Sequence, residues 1–245
     1  MPHRYFTTDI SGGTAVLSGA DAHHLAHVMR ARPGETVTLC DGKGTDYACA
    51  VRGFAPDTVE LEILSSSASV SEPGVRVTLY VGYPKQDKLE TIVQKAVELG
   101  AYAVVPVETR RCVVKLDAKK AQKKVTRWQQ ISESAAKQSK RMLIPEVKNV
   151  MNWKEALAFA KGLDVILIPY ELAKGMKETR EILSAIQPGQ SVGIFIGPEG
   201  GFEEEEVRDA MEAGGKPVTL GKRILRTETA GMTMLSILMY TLESV

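Results

Sequence analysis

The chain lacks most of the signals that announce a familiar chemistry. It has no GxxxxGK[ST] stretch, so a P-loop nucleotide site is excluded. No GxGxxG follows an early strand, which leaves an ordinary dinucleotide or Rossmann-type nucleoside site unsupported. No GxSxG supplies a hydrolase elbow. Cysteine is scarce: Cys40, Cys49 and Cys112 form no CxxC and cannot all pair, which fits a reducing compartment and small apolar fillers. Histidine is confined to His3, His23, His24 and His27. His23 and His27 stand four apart, but no third ligand accompanies them, so surface or interface histidines are the reading and no metal is expected. The longest apolar stretch, Ala230–Leu242, is short and interrupted by Gly231, Thr233, Ser236 and Thr241, so no membrane span is expected. Met1–Ile10 is mixed and polar, unlike a signal peptide. A cytoplasmic protein is expected.

Nor is there an excess of charge, since the net is +1 over 245 residues. The distribution is uneven, however. Met1–Glu72 holds five Lys/Arg against nine Asp/Glu, and Arg110–Lys148 holds twelve against three. A block this basic can be an electrostatic footprint for nucleic acid or the solvated face of one helix.

What is present divides at Ser65–Gly74, SSSASVSEPG, which reads as a linker. The division expected is 1–70 and 73–245. The first part reads as short strands over Thr36–Cys40, Tyr47–Val51 and Val59–Leu64, with a hairpin turn at Asp41-Gly42-Lys43-Gly44 and a short helix over Asp21–Arg30. In the second part strands alternate with helices. Strands are expected at Val75–Val81, Ala103–Val107, Val165–Ile168, Val192–Ile196 and Val218–Leu220. Helices are expected through Leu89–Val97, Ala118–Arg141, after a cap at Asn152, at Thr179–Ile186 and over Thr227–Glu243. That alternation implies an α/β domain with a parallel sheet covered on both faces. The last helix is apolar nearly all round and so calls for cover on every side, as a dimer interface would give.

The densest stretch is Ile194–Phe202, IFIGPEGGF, followed by Glu203–Glu206. It reads as a buried strand, a glycine loop and an acidic helix start. Loops at the C-terminal ends of parallel strands hold ligands, and glycine admits close backbone approach. Four carboxylates make a poor phosphate site, so a neutral or cationic ligand is expected. Pro169-Tyr170-Glu171 and Gly221–Thr229 are the other strand-end loops that could meet it.

GPEGGF followed some twenty residues on by Leu220-Gly221-Lys222-Arg223-Ile224-Leu225-Arg226-Thr227-Glu228-Thr229-Ala230 is a specific pair of motifs. With Arg4-Tyr5-Phe6, His24-Leu25, Val28-Met29-Arg30, Asp41–Gly44, and Lys85 through Glu98-Leu99-Gly100, it resembles the SPOUT-superfamily methyltransferases over nearly the whole chain. The specific resemblance is to the 16S ribosomal RNA uridine-N3 methyltransferases. It implies an N-terminal PUA-like β-barrel that binds RNA, and a SPOUT domain with a deep trefoil knot. The knot rests on resemblance alone, because connection rules disfavour knots. It also implies S-adenosylmethionine as cofactor, 16S ribosomal RNA in the 30S subunit as substrate, and a homodimer.

On this resemblance Tyr170, Glu171, Ile196, Gly197, Pro198, Gly200, Gly201, Leu220, Gly221, Ile224 and Leu225 would contact the cofactor. Arg226 would stabilise charge on the target uracil or else pair with Glu228 or Glu199. Glu199 would act as a base or, as the favoured reading, close its loop through backbone N–H groups. Arg141 and Lys85 are further candidates at the target, with phosphate contact the favoured role. Arg4, Arg30, Arg32, Lys43, Lys119, Lys120, Lys123 and Lys124 complete the expected RNA contacts. Where the family carries Cys-Gly-Arg-Asn the chain has Ser139-Lys140-Arg141-Met142, so no role for that cysteine or asparagine carries over. A methyltransferase for another RNA site or a ribose, and a non-catalytic RNA-binding module, are the alternatives.

Overall fold

Hairpin chemistry and strand alternation build the first of two units in a computed structural model that describes residues 3–114, 117–173 and 175–243. This unit contains Met1–Glu72 and Ala136–Ile144. Its strands are β1 (Arg4–Phe6), β2 (Ile10–Ser11), β3 (Thr14–Ser18), β4 (Thr36–Cys40), β5 (Thr45–Phe54) and β6 (Thr58–Ala68), in the sheet order β1-β4-β5-β6-β3-β2. Helix α1 (Gly19–His23) runs into a wider π-helical turn, His24–Val28, where a helix over Asp21–Arg30 was expected. Asp41 closes the β4–β5 hairpin by accepting from the N–H groups of Lys43 (2.7 Å) and Thr45 (3.0 Å). Alternate residues Val37, Leu39, Val59 and Leu61 face a core shared with Tyr5 and Leu25. β1 and β2 are the two ends of this order, and among the described residues no pairing closes them into a ring.

Two features differ from the sequence reading. Ser65–Ala68 is strand, not linker, and pairs with Thr45–Ala48. Its side chains are exposed, so backbone pairing alone holds it and no apolar alternation reveals it. The segment Ala136–Ile144 belongs with the first unit, although the expected division placed it in the second. Arg141 is the reason. It is buried, donates to Glu72 through Nε at 3.1 Å and through a second nitrogen, and its carbonyl accepts from Arg4 Nε at 3.0 Å. Glu72 also accepts from the Met142 N–H at 2.8 Å.

The second unit, Pro73–Ala135 with Pro145–Val245, is the expected α/β layer structure. Its elements are β7 (Arg76–Gly82), α2 (Lys88–Glu98), β8 (Ala103–Glu108), α3 (Ala118–Gln138), β9 (Glu146–Val147), β10 (Met151–Asn152), α4 (Trp153–Ala160), β11 (Val165–Pro169), α5 (Met176–Ser184), β12 (Ser191–Ile196), α6 (Glu204–Glu212), β13 (Gly215–Val218) and α7 (Thr227–Leu242). The sheet order is β10-β8-β7-β12-β11-β13, with β9 also on β8, and every pairing is parallel. Successive side chains enter opposite layers. Leu79, Leu167, Ile194 and Ile196 join Leu89, Trp128, Leu183 and Leu235 on one face. Tyr80, Ile166, Ile168 and Phe195 join Trp153, Ala156, Val207 and Ala210 on the other. Asn152 caps α4 with the expected capping box, accepting from Glu155 N–H at 3.0 Å while Glu155 returns the bond at 2.9 Å.

The strand expected at Val218–Leu220 lies instead at Gly215–Val218. Gly-Lys-Pro reads as a turn, but among the described residues β13 pairs only with β11, and an edge strand tolerates proline. Gly215 is required by packing, since a Cβ there would meet the Ala210 carbonyl oxygen at 2.6 Å. Helix α7 packs on α2 and leaves Tyr240 93% exposed. Among the described residues no helix is long and apolar enough to cross a membrane.

Candidate functional site

Three strand ends open on one cavity of about 580 Å³. β11 ends at Pro169 and is followed by Tyr170, whose N–H donates to the Val218 carbonyl at 3.0 Å. β12 ends at Ile196 and is followed by the glycine loop. β13 is followed by Thr219–Arg226, which leads into α7. Parallel strands carry all three turns to the same sheet edge. Every residue assigned above to the cofactor lines this cavity: Tyr170, Glu171, Ile196, Gly197, Pro198, Gly200, Gly201, Leu220, Gly221, Ile224 and Leu225. Glu199 and Arg226 line it as well. The lining residues not assigned from the sequence are Pro169, Phe202, Thr219, Lys222, Arg223, Thr227 and Ala230.

The glycine loop is tightly wound. The Gly201 N–H donates to the Pro198 carbonyl at 2.8 Å, with Gly201 at φ 71°. A Cβ on Gly197 would lie 3.1 Å from Gly201, and one on Gly82, at the end of β7, only 2.5 Å from the Pro198 nitrogen. The Thr219 N–H donates to the Thr179 hydroxyl at 3.0 Å, which anchors the start of the second loop to α5.

The acids after the loop do not behave as expected. Glu203 caps α6 and pairs with Arg111 Nε at 2.8 Å, and Glu205 pairs with Arg110. Glu206 is buried and accepts from the N–H groups of Arg110 (2.8 Å) and Glu203 (2.9 Å). Hydrogen bonds from Arg111 and Arg110 hold the Glu203 and Glu205 carboxyls below the ordinary range. These carboxylates neutralise an arginine pair and hold a helix start, so they do not by themselves select a cationic ligand. No sequence signal joined Arg110 and Arg111 to residues some ninety positions later.

Glu199 accepts from Lys88 Nζ at 3.0 Å and from the Lys85 N–H at 3.2 Å. Burial opposes its ionisation, but these bonds outweigh burial and hold its carboxyl below the ordinary range. These contacts tie the glycine loop to Lys85 and to the start of α2. Arg226, at the N-cap of α7, is exposed and makes no ion pair among the described residues, so neither Glu228 nor Glu199 engages it. One carboxylate oxygen of Glu228 is buried with no hydrogen-bond partner.

Arg141, expected at the target or on phosphate, does not line the cavity; it is buried and pairs with Glu72. Arg4, expected on RNA, is largely covered and gripped by Asp46 at 2.6 and 2.7 Å. Arg30, Arg32, Lys43, Lys85, Lys119 and Lys123 are exposed. Lys120 pairs with Asp117 at 3.3 Å and Lys124 with Asp87 at 2.8 Å. The His23 and His27 rings lie 4.7 Å apart, and among the described residues no three His, Cys, Asp or Glu side chains converge for a metal.

A family model described as an RNA methyltransferase domain matches residues 71–239, and one described as an RNA methyltransferase PUA domain matches 17–64. Fold, cavity and both matches define a two-part RNA methyltransferase. The chain is 37% identical to ribosomal RNA small subunit methyltransferase E of Bacillus subtilis (strain 168), covering 94% of this chain and 91% of the relative. It is similar to the solved structure of that enzyme from Neisseria gonorrhoeae bound to S-adenosyl methionine, with a TM-score of 0.84, 33% identity, and 99% and 98% of the two chains covered. A methyltransferase structure from Legionella pneumophila, in complex with the same molecule, matches with a TM-score of 0.85 and 32% identity over 98% of each chain. The chain belongs to the ribosomal RNA small subunit methyltransferase E family.

Proposed function

We propose that this chain transfers the methyl group of S-adenosylmethionine to N3 of a uridine in 16S ribosomal RNA, acting on the small subunit in the cytoplasm. The observation that carries this is the single cavity at which the glycine loop, Tyr170-Glu171 and Thr219–Arg226 meet. Its residues suit the cofactor. The volume falls in the range of about 300–1,000 Å³ usual for small-molecule sites. Ile196, Leu220, Ile224 and Leu225 offer apolar walls to a flat base, and the glycines offer backbone groups to a ribose. Glu171, exposed at the cavity, suits a positive charge.

When bound, S-adenosylmethionine supplies an electrophilic methyl group, so the chain's task is to place and polarise the acceptor. N3–H is weakly acidic; its proton passes to solvent water, and the charge left spreads onto O2 and O4. Arg226 stands at the cavity with no ion partner among the described residues, and it donates to those oxygens. Holding N3 in line is worth roughly 7–11 kcal/mol in favourable cases. Ile224, 85% exposed, offers the incoming ring an apolar surface. Glu199 stays ionised and closes the loop. Because N3 lies on the pairing edge, the target is an unpaired or splayed base.

Residues 1–70, with 136–144, serve as the RNA-binding domain and the rest of 73–245 as the catalytic domain, with Lys119 and Lys123 following phosphates and Arg30, Arg32 and Lys43 adding local contacts. A second copy covers the exposed side of α7, where Ile237 and Tyr240 reach solvent. The deep trefoil knot that the resemblance implies for this domain is tested by a high-resolution experimental backbone trace. Methylation of 30S subunits with labelled S-adenosylmethionine, followed by nucleoside mass spectrometry, tests the activity. The expected product is 3-methyluridine, and a labelled ribose would overturn the assignment.

A further inference from the structure

The cavity residues do not fix their own positions. The glycine loop is held from outside by a side chain that does not line the cavity. Arg111 follows β8, and its guanidinium reaches two places at once. Nε and one terminal nitrogen bind the Glu203 carboxylate at 2.8 and 3.1 Å, while the other terminal nitrogen donates to the Gly200 carbonyl at 2.7 Å. Its stem lies across Gly200, where a Cβ would meet Arg111 Cβ at 3.2 Å and Cδ at 3.4 Å. Gly200 and Gly201 also line the cavity.

We infer that Arg111 is the positioning residue of the glycine loop, fixing Gly200 against the cap of α6 and so setting the backbone edge that the cofactor meets. The geometry is specific to arginine. A planar fork can grip a carboxylate with one edge and still present a donor to a carbonyl, whereas a lysine ammonium cannot hold both directions. The neighbouring Arg110 makes the contrast. Among the described residues its side chain pairs with exposed Glu205, four residues beyond Gly201, and Arg110 does not line the cavity. Lys88 holds the loop from the other side through Glu199, so that together the two cations span Glu199 to Glu203. A loop fixed at both ends loses less freedom when a ligand binds.

This inference rests on the proposed cofactor, and calorimetry with S-adenosylhomocysteine on the full chain separates the two. Wild type, R111A, R111K and R110A are titrated, and their amide exchange at Gly200–Phe202 is followed without ligand. R111A is expected to raise Kd roughly tenfold, the scale seen when a group that orients a binding group is removed. Its loop amides exchange faster, R111K recovers only part of the affinity, and R110A matches wild type in both measurements. Thermal melting confirms that the variants are folded. Unchanged affinity and unchanged loop exchange in R111A would overturn the inference. If wild type itself binds no S-adenosylhomocysteine, the proposed cofactor fails, while the exchange data still decide whether Arg111 holds the loop.

Discussion

Thr227 donates its hydroxyl to the carbonyl of Gly197 at 3.1 Å, so the first residue of α7 is tied to the first residue of the glycine loop. Thr227 is buried, and its replacement by valine keeps the shape while stranding the carbonyl. T227V is expected to cost about 1–3 kcal/mol. It lowers Tm by roughly 2–4 °C per kcal/mol, the scale for a domain of 150–250 residues. Affinity for S-adenosylhomocysteine falls with it, as thermal melting and calorimetry would read.

Gly82 lies beneath the same loop. A methyl there would approach the Pro198 nitrogen to 2.5 Å and the Gly197 carbonyl carbon to 3.0 Å, both of them backbone atoms that cannot swing aside. G82A is therefore expected to destabilise by about 1–3 kcal/mol and to displace the cavity wall. G162A, with nothing within 4 Å of its added methyl, serves as the control and stays within about 0.5 kcal/mol of wild type. Denaturant titration compares the two.

For Glu199 the sign of the pH effect can be worked out. Its native pKa is depressed below the ordinary value of 4.5, so the carboxylate stabilises the folded state fully above that value. The contribution is lost as pH falls from about 4.5 through the lower native value. E199Q is expected to lower stability at neutral pH and to narrow its gap from wild type in acid. Because Glu199 is ionised throughout the neutral range, E199Q leaves the shape of the kcat profile between about pH 6 and 9 unchanged. A lost limb in that profile would restore Glu199 as a base.

Arg226 should act on the reaction more than on cofactor binding. R226A is expected to lower kcat by about 10²–10³-fold, the range for losing one donor to a developing anion. Affinity for S-adenosylhomocysteine stays the same, and R226K recovers part of the rate. Single-turnover methylation paired with calorimetry separates these effects.

The lysines of α3 are not equivalent. Lys119 and Lys123 are exposed, whereas Lys124 is engaged with Asp87. Charge reversal at Lys119 and Lys123 is expected to flatten the salt dependence of RNA binding by roughly 0.7–0.9 for each phosphate that is no longer neutralised. K124E changes that slope less. Filter binding across a salt series distinguishes them.

Much of this protein was legible locally. Parallel strands such as Val192–Ile196 announce themselves by continuous apolar runs, and Asn152 with Glu155 by a capping box, because those signals act over a few residues. The cavity loops were recognised as the strand-end stretches Pro169–Glu171, Gly197–Gly201 and Gly221–Thr229, since turn and glycine signals lie in the chain itself. Ser65–Ala68 escaped because its strand is held by backbone pairing, which leaves no trace in side-chain pattern. Arg4 and Arg141 were read as RNA contacts because a sequence shows charge but not burial. Their carboxylate partners, Asp46 and Glu72, lie 42 and 69 residues away.

By itself, then, the sequence determined the alternation of strand and helix and the parallel sheet, which follow from periodicity, and it marked the strand-end loops by their glycines. The individual cavity residues were named from the resemblance carried by Gly197–Phe202 and Leu220–Ala230. Only the tertiary structure decided how the charges pair. It joined Arg111 to Glu203 and Gly200, Lys88 to Glu199 and Arg141 to Glu72, and it left Arg226 without an ion partner among the described residues. Ion pairing depends on distance in space across long loops, and no local pattern in the chain encodes that distance.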